Sequence, residues 1–586
     1  MTPYMDSEQQ KPTIKAIRLK SGDEIPLQKD SILAIVGPNN SGKSHFLNQL
    51  RAHLYGESLA IADMNEGLIH SVELRWPSDE REKYLNGVAE RKFARSGPYY
   101  DPELPYDVYG STAALSDGYI KALAEDGSRL GLFVDLFVRY DEPLSRISES
   151  ERQSMENSSS ALVRLYEQNE AYRAVQDDFR FIFDEEIHFH PLQGRLNFFL
   201  GPQPEKMPLV TDAYSPEAIQ FLSDVATVDR QGLGMRNVVG LLLRLYTDSR
   251  SVILVDEPEA FLHPPQANRL GQVLHRVCSS QGRQVVCASH DRNFLSGLGQ
   301  GNPHQLVVQR LAVRTDRDSV EYASLTVDSR AFDDVRGKSR IRYTPILESL
   351  FASVAVLVEN EKDALFFESA VDHYLQSHTS GGRKRLRDSL LFIPTNGNSN
   401  FSSTAALLHN LRSPTVIVGD LDLVSEPERL KKTVSAMDAE RSADASRLAH
   451  KIAERFREIH SDELGCVRKD QSEGKLKKKV AKHVSINHGD DQVCMLVRDL
   501  LEALKPAGVL LIPEGELEDF NRDIITSQDK NEWARAAIDQ ELYKEDAVQK
   551  FCSTIVEASL NAIEAEALKG TTDGTVTEET PSGSGG

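Results

Sequence analysis

Eight consecutive residues, Gly37-Pro38-Asn39-Asn40-Ser41-Gly42-Lys43-Ser44, have the types and spacing of a phosphate-binding loop. Gly37 and Gly42 let backbone N–H groups close around phosphate oxygens, Asn39, Asn40 and Ser41 complete the turn, and a following helix adds its N-terminal dipole. Lys43 is placed to reach the β- and γ-phosphates of ATP, and Ser44 to hold Mg²⁺. Downstream, the apolar run Val252-Ile253-Leu254-Val255 ends in Asp256-Glu257-Pro258. Asp256 suits Mg²⁺ binding through water, and Glu257 suits polarising the attacking water. A further apolar run, Val285 to Ala288, leads to Ser289-His290-Asp291, where His290 can sense a γ-phosphate.

The second half carries carboxylates where apolar runs end. Glu359 follows Ala355 to Val358, with Asp363 one helical turn on. Asp420 and Asp422 follow Thr415 to Val418, and an i, i+2 spacing puts both on one side of an extended segment. Glu516 and Glu518 follow Val509 to Ile512. Hard oxygen ligands of this kind suit Mg²⁺ or Mn²⁺. Two such ions can hold the attacking and leaving oxygens of a phosphodiester.

The elements that must position these residues follow from periodicity. Ser31 to Val36 reads as a buried strand, followed by a helix with Phe46, Leu47, Leu50 and Leu54 on one face. Residues 60–230 are mixed, with Phe179 to Phe199 alternating in places like strands. Val238 to Tyr246 reads as a buried helix. Buried strands alternating with helices imply a parallel sheet covered on both faces, an α/β fold. A second α/β run contains strands at Ala355 to Val358, Leu390 to Ile393, Thr415 to Val418 and Val509 to Ile512. It also contains helices at Asp363 to Tyr374 and, long and charged, at Met437 to His460. Residues 465–483 are locally basic, with Lys475, Lys477, Lys478, Lys479 and Lys482 as candidate DNA phosphate contacts. Residues 569–586 have the composition of a disordered tail.

A chain of 586 residues exceeds a single core, so two or three domains are expected. Hydrophobic residues at 40% and charged residues at 27% fit a globular protein, and no apolar run approaches a membrane span. With no signal-peptide core in Met1 to Lys11, a cytoplasmic protein is expected. The five scattered cysteines form no Cys-x-x-Cys pair, which argues against a disulfide framework or structural zinc. His188 and His190, near Glu185 and Glu186, lack a third zinc ligand and read as strand-face residues. A net charge of −21 argues against non-specific coating of DNA, while a local basic groove remains compatible with it.

The stretch from Asp256 to Pro264, with His290, resembles the SMC-like branch of the ABC ATPase superfamily. Gln231-Gly232-Leu233-Gly234-Met235-Arg236-Asn237 stands where that family has its signature loop. It departs from the usual Leu-Ser-Gly-Gly-Gln but keeps Gly232 and Gly234 ahead of a helix, where they could meet a γ-phosphate across a dimer. The resemblance implies a head-to-tail homodimer. Glu359-Asn360-Glu361-Lys362-Asp363, Thr395-Asn396-Gly397-Asn398 and Asp420-Leu421-Asp422 resemble a TOPRIM domain, with Asn360 where a glycine is usual. An ABC-type ATPase followed by TOPRIM resembles the OLD (overcoming lysogenization defect) family, which includes Gabija-like nucleases and some retron effectors.

That resemblance implies an N-terminal ATPase domain over 12–340, with an insertion within about 60–230 that is a candidate for dimerisation. It also implies a TOPRIM nuclease domain over 345–560. It implies catalytic roles for Glu359, Asp420 and Asp422, and a late lysine on the scissile phosphate: Lys530, with Lys544 and Lys550 competing. The expected function is an ATP-regulated, metal-dependent DNA endonuclease of antiphage defence, with a reverse transcriptase and its DNA, or a helicase, as partner. The alternatives are an ATP-driven sensor or scaffold with an inactive TOPRIM site, and an SMC-like DNA tether. The tether is disfavoured by the absence of long heptad arms between Gly37 and Asp256.

Overall fold

The computed structural model describes residues 12–55, 67–76, 137–140, 165, 168–192, 195–201, 215–247, 251–315, 320–327, 346–378, 386, 389–459, 492–521 and 530–572. Spatial contacts divide the chain into two compact units: Met1–Val36 with Gly42–Gln309, and Gly37–Ser41 with Arg310–Gly586. The domain boundary expected between 340 and 345 lies outside the described residues, and the division by contacts falls earlier, after Gln309.

The first unit begins with β1 (Thr13–Leu19), β2 (Glu24–Pro26) and β3 (Ile32–Val36), then α1 (Lys43–Tyr55), β4 (Ile69–Arg75) and β5 (Phe137–Tyr140). It continues with α2 (Asn169–Phe183), the antiparallel hairpin β6 (Ile187–Leu192) and β7 (Arg195–Leu200), α3 (Pro216–Asp224) and α4 (Leu233–Thr247). Then come β8 (Val252–Asp256), α5 (Pro264–Gln281), β9 (Gln284–Ala288), α6 (Arg292–Leu298) and β10 (Leu306–Thr315), which crosses the division. β1, β2 and β4 form an antiparallel sheet of order β2-β1-β4. The larger sheet has β3, β9, β8 and β5 side by side, parallel throughout. Every residue of β3 and β9 is buried, as a strand covered on both faces requires. The two sheets are joined by buried Gln284. Its Oε1 accepts from Ile14 N at 2.7 Å, and its Nε2 donates to the Ile14 and Gln28 carbonyls. One side-chain amide thus satisfies three backbone groups that burial would otherwise strand.

The alternation seen from Phe179 to Phe199 is strand only in its second part. Val175, Phe179 and Ile182 are buried at helical spacing on α2, which ends at Asp184 in the left-handed conformation (φ 58°). β6 and β7 follow.

The second unit takes the rest of β10 and β11 (Val320–Val327), then β12 (Val354–Val358), α7 (Glu361–Ser377), β13 (Leu390–Pro394), α8 (Phe401–Asn410) and β14 (Thr415–Gly419). It ends with α9 (Pro427–Met437), α10 (Ser442–Ile459), α11 (Gln492–Leu504), β15 (Val509–Leu511), α12 (Lys530–Asp539) and α13 (Asp546–Thr572). Its sheet has order β13-β12-β14-β15 and is parallel at every junction. Val354, Val356 and Val358 of β12 pack with Phe366, Phe367, Trp533, Phe551 and Ile555 in one core. Each such side chain contributes about 1.5–3 kcal/mol by leaving water.

The charged helix expected from Met437 to His460 is α10, which starts later, at Ser442, because the chain turns at Asp438 after α9. Asp438 leaves helical geometry (φ −150°, ψ 103°), and its Oδ1 accepts from the N–H groups of Glu440 and Arg441. A short acid competing for local backbone donors ends α9. α13 extends to Thr572, four residues into the stretch expected as tail; residues 573–586 lie outside the described residues.

Candidate active sites

The nucleotide loop leaves β3 through backbone conformations that few residues adopt. Gly37 has φ 150° and Gly42 φ 90°, with Asn40 between them at φ 61°. A Cβ on Gly37 would stand 2.5 Å from Leu311 O, so glycine is required there. Asn40 is among the residues that tolerate the left-handed region. Lys43 opens α1 and is buried; desolvation lowers its pKa, opposed by the charges of Glu257, Asp256 and Glu259.

Asp256 and Glu257 stand where β8 ends, beside the end of β9. Glu257 adopts φ 47°, and its N–H donates to Ala288 O at 2.9 Å. Its Oε1 lies 3.1 Å from His290 Nδ1. Glu259, buried, accepts from Ser289 Oγ at 2.7 Å and from His290 N at 3.2 Å, and burial pushes its carboxyl up to about 7. Gly234 is not ahead of the helix as the sequence suggested: α4 starts at Leu233, so Gly234 lies in its first turn. A Cβ there would stand 2.4 Å from Phe261 O, whereas one on Gly232 would meet nothing within 4 Å. Gly234 is therefore needed for close packing. Phe261 itself is 74% exposed and left-handed (φ 66°), a conformation costly for a bulky residue.

In the second unit, backbone bonds tie the strand ends in two pairs, β12 with β13 and β14 with β15. Gly397 N–H donates to Glu359 O at 2.9 Å, and Leu421 N–H to Gly515 O at 2.8 Å. Glu359 and Asp420 are close enough for each to influence the other's charge. Asp420 is raised well above the usual carboxylate range by burial and by Glu359, Asp363, Asp422 and Glu516. Glu359 is raised by burial and Asp363, and its Oε2 is buried with no hydrogen-bond partner. The Asp420–Asp422 segment is not extended as expected: Leu421–Ser425 is a 3₁₀ turn, so Asp422 reaches the group from a helical turn.

Two expected metal ligands are already engaged. Asp363 Oδ2 accepts from Asn360 N at 2.9 Å, capping α7, and Glu518 Oε1 is bonded by Lys362 Nζ at 2.5 Å. Asn360, where a glycine is usual, has φ −138° and needs no left-handed geometry; that falls instead on Asn396 (φ 57°) and Gly397 (φ 110°). Among the described residues, no three His, Cys, Asp or Glu side chains stand arranged around a metal position. The donor set is nonetheless all hard oxygen, and Glu359 Oε2 is a buried carboxylate oxygen with no hydrogen-bond partner. The residues present fit a divalent ion.

Residues 134–296 match a family model for an AAA domain ascribed to the AbiEii toxin, Type IV TA system. Residues 350–422 match the overcoming lysogenization defect protein-like TOPRIM domain. The chain has the ATPase–TOPRIM architecture of the OLD family. Its N-terminal region carries an ATPase domain of α/β fold, and the parallel sheet of its second unit belongs to the TOPRIM domain. Among solved structures, an Smc head bound to the C-terminal winged-helix domain of ScpA is 15% identical over 55% of this chain and 99% of that one (TM-score 0.33). An Smc head from Pyrococcus furiosus bound to a ScpA domain is 12% identical over 56% and 99% (TM-score 0.29). The SMC head of Thermotoga maritima is 17% identical over 54% and 99% (TM-score 0.28). No curated protein matches the chain. No helix among the described residues is long and apolar enough to cross a membrane.

Within this OLD-type architecture the late lysine stays open. Lys530 begins α12, and its side chain lies outside the described residues. Lys544 is exposed and paired with Glu541 at 2.5 Å, and Lys550 is exposed on α13. Lys475, Lys477, Lys478, Lys479 and Lys482 all lie outside the described residues. Two residues went unnoticed in the sequence. Lys362 is buried and bonded to Glu518, and Glu259 is buried and bonded to Ser289 and His290. A lysine set between Glu361 and Asp363 in the first turn of a helix, where the dipole disfavours cations, was the available signal. His188 is buried in β6, 3.6 Å from Glu186, with Gln176 on its other nitrogen.

Proposed function

We propose that this chain is an ATP-regulated, divalent-metal-dependent DNA endonuclease serving antiphage defence. The reading is carried by one observation: Glu359, Asp420, Asp422 and Glu516 interact across adjoining strand ends of a TOPRIM sheet, on the same chain as a complete nucleotide loop.

At the nucleotide site Lys43 binds the β- and γ-phosphates, Ser44 and Asp256 hold Mg²⁺, Glu257 orients the attacking water, and His290 faces the γ-phosphate. Gly232 at the head of α4 presents its backbone to the nucleotide of a second copy, which makes a dimer the working unit. At the TOPRIM site Glu359, Asp420, Asp422 and Glu516 hold Mg²⁺ or Mn²⁺. A divalent ion there supplies positive charge to the phosphodiester oxygens and lowers the pKa of a bound water. The chain's own part is to keep four carboxylates close at the strand ends. The raised proton affinity of Glu359 and Asp420 makes proton and metal compete for their oxygens. Lys475, Lys477, Lys478, Lys479 and Lys482 contribute DNA phosphate contacts, and a reverse transcriptase with its DNA, or a helicase, supplies the trigger.

The test is plasmid cleavage by the full chain with Mg²⁺ or Mn²⁺, with and without ATP, under conditions where the parent cuts. E359A and D420A should abolish nicking while ATP hydrolysis persists. Variants that cut as fast as the parent would remove the nuclease assignment. A parent that hydrolyses ATP but never cuts, under any trigger, would leave the sensor or scaffold reading in its place.

A further inference from the structure

The carboxylate of Glu259 is not one of the proposed phosphate-binding or water-orienting groups, yet it is buried in contact with the loop that carries His290. Burying a carboxylate is costly unless its oxygens are bonded. Glu259 Oε1 takes two hydrogen bonds from the loop after β9, from Ser289 Oγ at 2.7 Å and from His290 N at 3.2 Å. Ser289 Oγ in turn accepts from Asp291 N at 3.1 Å, and Ser289 N donates to Ile35 O, on the strand that leads into the nucleotide loop. Asp291 caps α6 by accepting from Asn293 N and Phe294 N at 2.7 Å. The backbone around His290 is thus restrained on every side, and its imidazole stands 3.1 Å from Glu257 Oε1 and 3.8 Å from Glu259 Oε1.

We propose that Glu259 is a positioning residue of the ATP-hydrolysis centre: by accepting from Ser289 Oγ and His290 N, it fixes the His290 imidazole against Glu257. The proposal rests on the reading of Glu257 and His290 as hydrolysis residues. It adds a group that acts through the loop that it holds. Glu257 and Glu259 flank Pro258 on one turn after β8, so that turn carries both the water-orienting acid and the anchor of its histidine partner. Any shift of the β9 loop relative to β8 must break the Glu259 bonds before it moves His290.

The test uses the full chain, with turnover at saturating ATP and affinity for a fluorescent ATP analogue measured separately. E259A should lower turnover by roughly ten- to a hundredfold, up to the cost of a catalytic group misplaced by about 1 Å, with nucleotide affinity little changed. E259Q should recover most of the rate, because an amide oxygen accepts the same two bonds. S289A, which loses one of the two, should fall between. In an E257Q background, E259A should slow the residual rate little further, because the contact it protects is already gone. E259A turning over like the parent, or acting as strongly in E257Q as alone, would overturn the proposal. So would a loss confined to nucleotide affinity. Should E259A not fold, parent-like turnover in S289A overturns it equally. A parent that binds but does not hydrolyse ATP would overturn both this role and the hydrolysis reading, whereas a parent that turns over beside an equally fast E259A overturns this role alone.

Discussion

Lys362 Nζ bonds Glu518 Oε1 at 2.5 Å, joining the first turn of α7 to the turn after β15 across 156 residues of sequence. The lysine side chain is 7% exposed and the glutamate 22%. Both lie beside the TOPRIM acids, where Lys362 offsets part of the charge that Asp363 and Glu359 impose on each other. Glu518, expected from its strand-end position to bind metal, is held by this cation.

Removing one partner of so buried a pair leaves the other uncompensated, a loss of about 3–5 kcal/mol in comparable sites. K362M is expected to lower the melting temperature of the C-terminal domain by several degrees, and K362M/E518Q to recover part of the loss. Differential scanning calorimetry of the full chain reads both. Parent-like melting of K362M would show that the pair contributes nothing.

Gly234 is held by contact with Phe261 O, not by a left-handed backbone. G234A places a methyl 2.4 Å from that oxygen and 2.9 Å from its carbon, so the turn after β8 must move or α4 must tilt. Overpacking of this kind costs about 1–3 kcal/mol. G234A should therefore destabilise the ATPase domain and slow ATP turnover, while G232A, with open space around it, should leave stability unchanged. Thermal melting of the two alanine variants decides between a packing role and a merely flexible turn.

Glu259 gives the ATPase domain a pH dependence with a definite sign. Its carboxyl titrates near 7 in the folded chain against 4.5 when exposed, so between those values the folded state holds a proton that the unfolded state has lost. Stability conferred by that proton is present at low pH and falls as pH rises towards about 7. E259Q does not titrate. The melting temperature of E259Q minus that of the parent should therefore climb across this window. A flat difference would mean that Glu259 is charged throughout.

The basic stretch makes an independent prediction. Replacing Lys475, Lys477, Lys478 and Lys479 with serine should weaken DNA binding and flatten its dependence on salt, since each lost phosphate contact removes roughly one counterion from the slope. Titrations at several salt concentrations measure this. An unchanged slope would make the stretch an ordinary solvated surface.

What could be seen in the sequence was what is local. The nucleotide loop and the Asp256-Glu257 pair are contiguous strings with obligatory conformations, and the buried strands β3, β8, β9, β12 and β14 announce themselves by unbroken apolar runs. What escaped was non-local or cooperative. The partner of Lys362 lies far down the chain, and nothing near Glu259 foretells the serine hydroxyl it would hold. The break between α9 and α10 turns on one aspartate choosing local amides over the helix. The helical placement of Phe179 became visible only once α2 was seen to bury Val175 and Ile182 on the same face.

The order of strands in the TOPRIM sheet also governs how the chain is made. β14 pairs on one side with β12, already made by the time β14 is, and on the other with β15, about 90 residues later. At roughly 5–20 residues per second, a ribosome leaves that edge of β14 without its neighbour for several seconds. The strand is Thr-Val-Ile-Val-Gly, apolar and free of charge, the kind of edge that templates pairing with another chain. Nascent chains crowded on one message are therefore most exposed to mispairing during synthesis of residues 420–508, and a slowed ribosome there should cost soluble yield more than one slowed anywhere after Leu511.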